Sequence, residues 1–247
     1  MRKGSHAVTN AVQLDQLPEP LPAAQIIALN QPKADLHTVR TYEWNGWTFE
    51  LPPGVFMPGA TSRMIHERLL DGTIDVAGRV YAAMGVGLGV EAVVAGLRGA
   101  AEIHACDVDA ASVRTAQRYF DELAAPTSRS TFVPVVSDLF ADFPAGFRAD
   151  VITFNPPAVS QRVSDDPAIV RNVCAGSPLV ARFFAQIAER DLLAPGGEVF
   201  LIVSNTADLR AIIGHATEVG FAAEIAHLHD WQDGVLTYLF RLTREDR

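Results

Sequence analysis

Gly85-Val86-Gly87-Leu88-Gly89 follows one apolar run and precedes a helical pattern. Glycine permits positive φ and close approach of a ligand to the backbone, and a helix start offers free N–H groups and the positive end of a dipole. Alternating glycines alone describe a tight strand–helix turn equally well. The next apolar run, Ile103-His104-Ala105-Cys106-Asp107, ends on a carboxylate. It lies about 20 residues past the glycines, where nucleoside and dinucleotide binders place an acid that accepts hydrogen bonds from ribose hydroxyls. Asp107 at the strand end is the first choice for that role. Asp109, two residues on, is the fallback and a candidate helix cap.

Two further strings stand at the ends of later strands. In Ser137-Asp138-Leu139-Phe140 the carboxylate can accept an adenine amino proton while Leu139 or Phe140 packs on the ring, although a turn cap has the same composition. Asp150-Val151-Ile152-Thr153-Phe154-Asn155-Pro156-Pro157 is the more specific string. Two prolines stop the strand and stiffen the loop, because each fixes φ and lacks an N–H. Asn155 is thereby held at the carboxyl edge of the sheet, where ligands bind in open α/β sheets, with two donors and an acceptor on its amide.

The elements that must position these residues follow from hydrophobic periodicity. Strands are expected at 79–84, 101–106, 132–136, 149–154, 197–203, 222–228 and 235–242, and helices at 88–98, 110–124, 168–191 and 206–219. This alternation describes βαβ units and a largely parallel sheet. The final two strands are too close for a crossover, so the last is expected to be antiparallel. Ahead of the sheet, residues 7–35 carry Leu14, Leu17, Leu21, Ile26, Ile27 and Leu29 at loosely helical spacing, broken by Pro18, Pro20 and Pro22. Tyr42, Trp44, Trp47 and Phe49 flank Asn45-Gly46, a hairpin signal. Thr61 or Ser62 is expected to cap the next helix.

Composition narrows the function classes. The 247 residues carry a formal charge of −9, and lysine occurs only at Lys3 and Lys33. Phosphate contacts dominate nucleic-acid affinity, so a small-molecule or protein substrate is expected, with no nucleic-acid partner. No apolar run reaches the roughly 18 residues of a membrane span, and no signal peptide is evident, so a cytoplasmic protein is expected. Cys106 and Cys174 lack metal-ligand or disulfide spacing and read as buried free thiols. Met1 to His6 read as an expression remnant.

Together these strings resemble the class I S-adenosylmethionine-dependent methyltransferases. The closest branch carries an Asn-Pro-Pro motif and includes amino-methyltransferases acting on glutamine side chains or adenine. The resemblance runs over about residues 50–242 and includes Leu193-Ala194-Pro195-Gly196-Gly197 before the fifth strand and Gly54-Val55-Phe56-Met57-Pro58 as a loop over the cofactor. It implies a Rossmann-like sheet of seven strands with the last antiparallel. The N-terminal extension, 7–60, would act as a lid on a catalytic domain, 61–247. It also implies S-adenosylmethionine as cofactor. Gly85, Gly87 and Gly89, with Phe56 and Pro58, would bind its methionine part, Asp107 and Val108 the ribose, and Asp138 and Leu139 the adenine. Asn155 would face the reacting centre, and Pro156 beside it would belong to the cofactor site. Two departures stand out. Ala83 occupies the place of an acid that contacts the cofactor ammonium in the family, and Ala158 replaces the aromatic residue that stacks on a planar substrate.

The leading expectation is therefore methyl transfer to nitrogen or oxygen of a small molecule. His66, His104, His215, His227 and His229 are available, but none stands out as a base. An alternative keeps the cofactor and resembles azetidine-2-carboxylate synthases, in which the cofactor's own amine displaces methylthioadenosine, with Asn155 or Ser204 holding the amine. A non-catalytic binding protein of this fold is the third reading. A nicotinamide dehydrogenase would fit the glycine loop but gives Asn-Pro-Pro no role.

Overall fold

The computed structural model describes residues 12–31 and 36–244; the expected remnant and parts of the 7–35 leader lie outside them. The leader is not one helix. Its prolines divide it into a single 3-10 turn, Leu14–Gln16, and α1 (Ala23–Leu29). Only Leu17 and Ile26 of its expected apolar set are buried. The Leu17–Leu21 backbone is tied to the 205–210 segment, with Leu21 N–H donating to Asn205 O (2.8 Å) and Arg210 Nε to Leu17 O (2.8 Å).

β1 (Arg40–Trp44) and β2 (Trp47–Leu51) form the hairpin. Asn45 (φ 52°) and Gly46 (φ 78°) both occupy the left-handed region that a two-residue type I′ turn requires. Period-two alternation buries Tyr42 and Phe49 on one face. α2 (Ala60–Asp71) follows. Its N-cap is Gly59, without a side-chain cap. Thr61 and Ser62 therefore sit inside the first turn rather than before it, and the expected capping role is corrected.

The main sheet is assembled from β3 (Val80–Met84), α3 (Val90–Leu97), β4 (Glu102–Asp107), α4 (Ala110–Tyr119), β5 (Thr131–Val136) and β6 (Ala149–Phe154). It continues through α5 (Pro167–Val173), α6 (Ser177–Arg190), β7 (Leu193–Ser204), α7 (Leu209–Glu218), β8 (Phe221–Asp230) and β9 (Leu236–Arg244). The strand order is β5-β4-β3-β6-β7-β9-β8, and β9 pairs antiparallel to both its neighbours. Strands such as β3 and β6 read as continuous apolar runs because helices cover both faces of the parallel part. One apolar layer lies under α6 and α7, around Phe183, Phe184 and Ile212; the other holds α2, α3, α4 and the hairpin, around Ile65, Val93 and Phe49. The hairpin thus belongs to the same packed body as the sheet.

Two element boundaries differ from expectation. The helix expected over 168–191 is two helices, because Gly176 (φ 75°) turns the chain ahead of Pro178. Pro195-Gly196-Gly197 is not a turn before β7 but an irregularity within it, where pairing with β6 shifts between Ala149 and Val151.

One polar layer interrupts the second core. Glu91 on α3 accepts from Tyr81 Oη (3.0 Å) and Thr153 Oγ1 (2.5 Å), and His66 Nε2 lies 3.9 Å from its other oxygen. This approach is not an ion pair. Burial, aided by Arg63, lowers the His66 pKa to about 3, and burial raises that of Glu91, so each group favours its neutral form.

Two predictions follow from this packing. A Cβ on Gly89 (φ 90°) would lie 2.5 Å from Ala116 Cα. Gly89→Ala should therefore cost about 2–4 kcal/mol in urea unfolding, from overpacking and positive φ together. Gly46→Ala, with nothing within 4 Å, should cost only the backbone part, about 1–2 kcal/mol. Equal losses would refute the packing role of Gly89. The second concerns acid stability. His66 takes up its proton in the unfolded chain below its ordinary value of 6.5 but in the folded chain only near 3. The stability it leaves intact above 6.5 is lost as pH falls through that window, by up to ~1.4 kcal/mol per pH unit. Glu91 acts oppositely: its raised folded pKa gives stability that is full below its unfolded value and fades as pH rises through the folded one. The gap in stability between the protein and His66→Phe isolates the histidine. It should shift in favour of the variant between pH 6.5 and 4, and a constant gap would refute this.

Candidate active site

The chain runs outward from β3 to β4 and β5, then returns to β6 on the other side of β3. This reversal opens a crevice beyond the carboxyl ends of β3 and β6, the switch point where α/β sheets bind ligands. A cavity of 510 Å³ occupies it. In register, Met84 lies beside both Cys106 and Phe154. Gly85, Asp107 and Asn155 therefore leave the sheet at one edge.

Gly85 (φ 66°) and Gly87 (φ 50°) shape the loop. Gly87 N–H donates to Asp107 Oδ2 (3.0 Å) and Asp109 N–H to Oδ1 (2.9 Å). Burial pushes the Asp107 carboxyl above its ordinary value, opposed by these two N–H groups and by the Arg171 cation. An ionised carboxylate offers about four lone-pair sites, so acceptor capacity remains. Asp109 is differently engaged: its carboxylate accepts from Ser112 N–H (3.1 Å) and Ser112 Oγ (3.0 Å), capping α4.

Asp138 is held by the Arg182 fork, with contacts of 2.8 and 3.1 Å. Both side chains are more than half exposed, so the pair adds little stability. Leu139 lines the cavity at φ 55°, a left-handed conformation uncommon for a leucine. Phe140 is fully buried away from it, its N–H bound to Gln186 Oε1 (2.9 Å).

Asn155 Nδ2 donates to Ser62 Oγ on α2 (3.1 Å). Ser204 Oγ and Thr206 Oγ1 lie 2.9 Å apart at the end of β7. The 52–58 loop is pinned from two sides, by Arg40 Nη2 on Val55 O (2.6 Å) and by Asn172 Nδ2 on Gly54 O (3.1 Å), which sets Phe56 at the mouth.

The cavity thus gathers Phe56, Gly85, Gly87, Asp107, Val108, Asp138, Leu139, Asn155, Pro156 and Ser204. Pro58 and Gly89 are not in its lining; Gly89 instead makes room for Ala116. Asn30, at the end of α1, is where the leader reaches the cavity. Sequence reasoning missed Ser62, Arg171, Asn172 and Thr206. Ser62 was read as a cap, and Arg171 and Asn172 fell inside a segment read as one long helix. None of the five candidate histidines lines the cavity. Cys106 does, but it is buried with its thiol on Leu139 O (3.3 Å), and burial pushes its pKa up. Cys174 is only half-buried. Ala83 is fully buried in the apolar layer. No helix among the described residues is long and apolar enough to cross a membrane.

No family model and no curated sequence matches the chain. Solved structures do. The T. thermophilus 16S rRNA N2 G1207 methyltransferase, in complex with AdoMet and guanosine, aligns at 21% identity and TM-score 0.60 over 85% of this chain and 50% of its own. The ribosomal protein L11 methylase of Lactobacillus delbrueckii subsp. bulgaricus aligns at 16% and 0.54 over 79% and 84%. The M. jannaschii tRNA m1G37 methyltransferase aligns at 13% and 0.54 over 85% and 56%. The chain thus spans about half the length of the two RNA enzymes. The acceptors named for these structures are ribosomal RNA, a ribosomal protein and transfer RNA, which overturns the expectation of a small-molecule acceptor with no nucleic-acid partner. That expectation rested on net charge, which sums the whole surface and does not describe the mouth of one cleft. What the likeness establishes is the fold, and this chain has the Rossmann-like sheet of the class I S-adenosylmethionine-dependent methyltransferases.

Proposed function

We propose that this protein is an S-adenosylmethionine-dependent methyltransferase whose acceptor is a nitrogen of a macromolecule, RNA or protein. The observation that carries the reading is the convergence of the glycine loop, Asp107, Asp138 and Asn155-Pro156 on one 510 Å³ cavity at the switch point of the sheet. The acceptor class is supported by the substrates named for the similar structures, and the nitrogen by the Asn-Pro-Pro string.

The residues present fit the cofactor. Asp107 keeps lone pairs for ribose hydroxyls, Val108 and Leu139 offer apolar walls for a base, and the glycine backbone admits an amino-acid tail. Bound there, the cofactor would supply an electrophilic sulfonium methyl group. The Asn155 amide would hold the acceptor N–H and aim its lone pair, so that rate comes from positioning. With its lone pair so aimed, the acceptor nitrogen would be placed to take that methyl group and to give up its own proton to solvent. The leader, through Asn30, would close the far side of the cavity as a lid.

Two experiments test this. S-adenosylhomocysteine should bind and raise the melting temperature by several degrees. Asp107→Ala should weaken that binding about tenfold or more, for loss of charge-assisted hydrogen bonds worth roughly 1.5–3 kcal/mol. Asp109→Ala should instead cost about 1 kcal/mol of stability as a lost cap, and the reverse order would refute the Asp107 role. Tritiated S-adenosylmethionine incubated with ribosomal RNA, transfer RNA and ribosomal proteins should label a macromolecule, with kcat reduced in Asn155→Ala far more than cofactor affinity. Absence of binding, or release of methylthioadenosine without any acceptor, would overturn the reading.

A further inference from the structure

One of the two N–H donors of the Asn155 amide is already committed. Its Nδ2 points at Ser62 Oγ (3.1 Å), and Ser62 is 6% exposed in the first turn of α2. Ser62 has no capping duty there, since Gly59 is the cap and no side chain bonds to the turn. The helix that carries it is anchored by Met64, Ile65 and Leu69, all buried in the apolar layer, so the serine cannot follow a rotating amide. Among the described residues, Ser62 Oγ takes part in this hydrogen bond and no other. Both residues line the cavity.

We propose that Ser62 is a positioning residue. It locks the Asn155 amide with Nδ2 toward α2 and Oδ1 toward the reacting centre, and so selects an acceptor atom that carries a hydrogen. A carbonyl oxygen accepts but does not donate. Only a target bearing N–H or O–H is held by it, and a carbon target finds no partner. Cys106, the one thiol beside the cavity, gives no route to carbon methylation either, being buried and bound to Leu139 O. This inference deepens the methyltransferase reading and rests on it for the chemistry, though not for the geometry.

The test therefore has one arm free of activity. In 15N-labelled protein saturated with S-adenosylhomocysteine, the Asn155 side-chain amide pair is assigned by its disappearance in Asn155→Ala. The hydrogen-bonded proton should exchange slowly with solvent. In Ser62→Ala it should exchange fast, and Ser62→Thr should restore slow exchange. Unchanged exchange in Ser62→Ala, or fast exchange from the start, would overturn the proposal. The second arm uses the macromolecule labelled by tritiated S-adenosylmethionine. Ser62→Ala should lower kcat roughly tenfold or more while S-adenosylhomocysteine affinity stays within about twofold. Added to Asn155→Ala, it should cost nothing further, because the serine acts only through that amide. Multiplying losses in the double variant would overturn the proposal, and so would a methyl group mapped to carbon. If no macromolecule is labelled by any variant, the function reading fails while the exchange arm still decides the role of Ser62.

Discussion

The Asp107 carboxylate is the constraint around which the cleft is organised. One oxygen accepts from Gly87 N–H and the other from Asp109 N–H, so a single side chain joins the glycine loop after β3 to the start of α4 after β4. Two loops that diverge from adjacent strands are thereby held at a fixed distance. Burial works against the charged form and prevails, while the two N–H groups and Arg171 oppose it in part. The group that defines the loop is also the one with lone pairs left for a ligand. Binding chemistry and loop geometry here depend on the same atoms.

The rest of the cavity is set by elements that come from far apart in the chain. Asn155 arrives on β6, Ser62 on α2 and Phe56 on a loop tied to both β1 and α5. Each is fixed by something rigid: prolines behind Asn155, buried apolar side chains beneath Ser62, two carbonyl contacts on the Phe56 loop. A reaction that gains its rate from orientation needs such supports, because a side chain free to rotate loses the alignment it is meant to provide. Polar groups are segregated accordingly. The Tyr81–Glu91–Thr153 cluster sits within the second core, and the exposed Asp138–Arg182 pair marks the rim.

Low sequence identity and a shared fold are compatible because different residues do the two jobs. The sheet needs apolar strands of about five residues and helices on both faces, which many sequences supply. Acceptor choice needs a few side chains at strand ends. The likeness to enzymes named for RNA and for protein substrates shows how little the sheet itself constrains the acceptor.

The sequence by itself determined the parallel sheet with its antiparallel last strand, the hairpin at Asn45-Gly46 and the set of strand-end residues. These are encoded locally, in alternation of apolar runs, in glycine at positive φ and in proline after a strand. It also separated Asp107 from Asp109 correctly in position, one at the strand end and one at a helix start. Tertiary structure alone decided the rest. It set Gly89 against Ala116 and spent Ser62 on Asn155 rather than on a cap. Each of these depends on what a residue meets from another part of the chain. Periodicity carries no record of such partners: Ser62 and Asn155 are 93 residues apart in sequence and 3.1 Å apart in the fold.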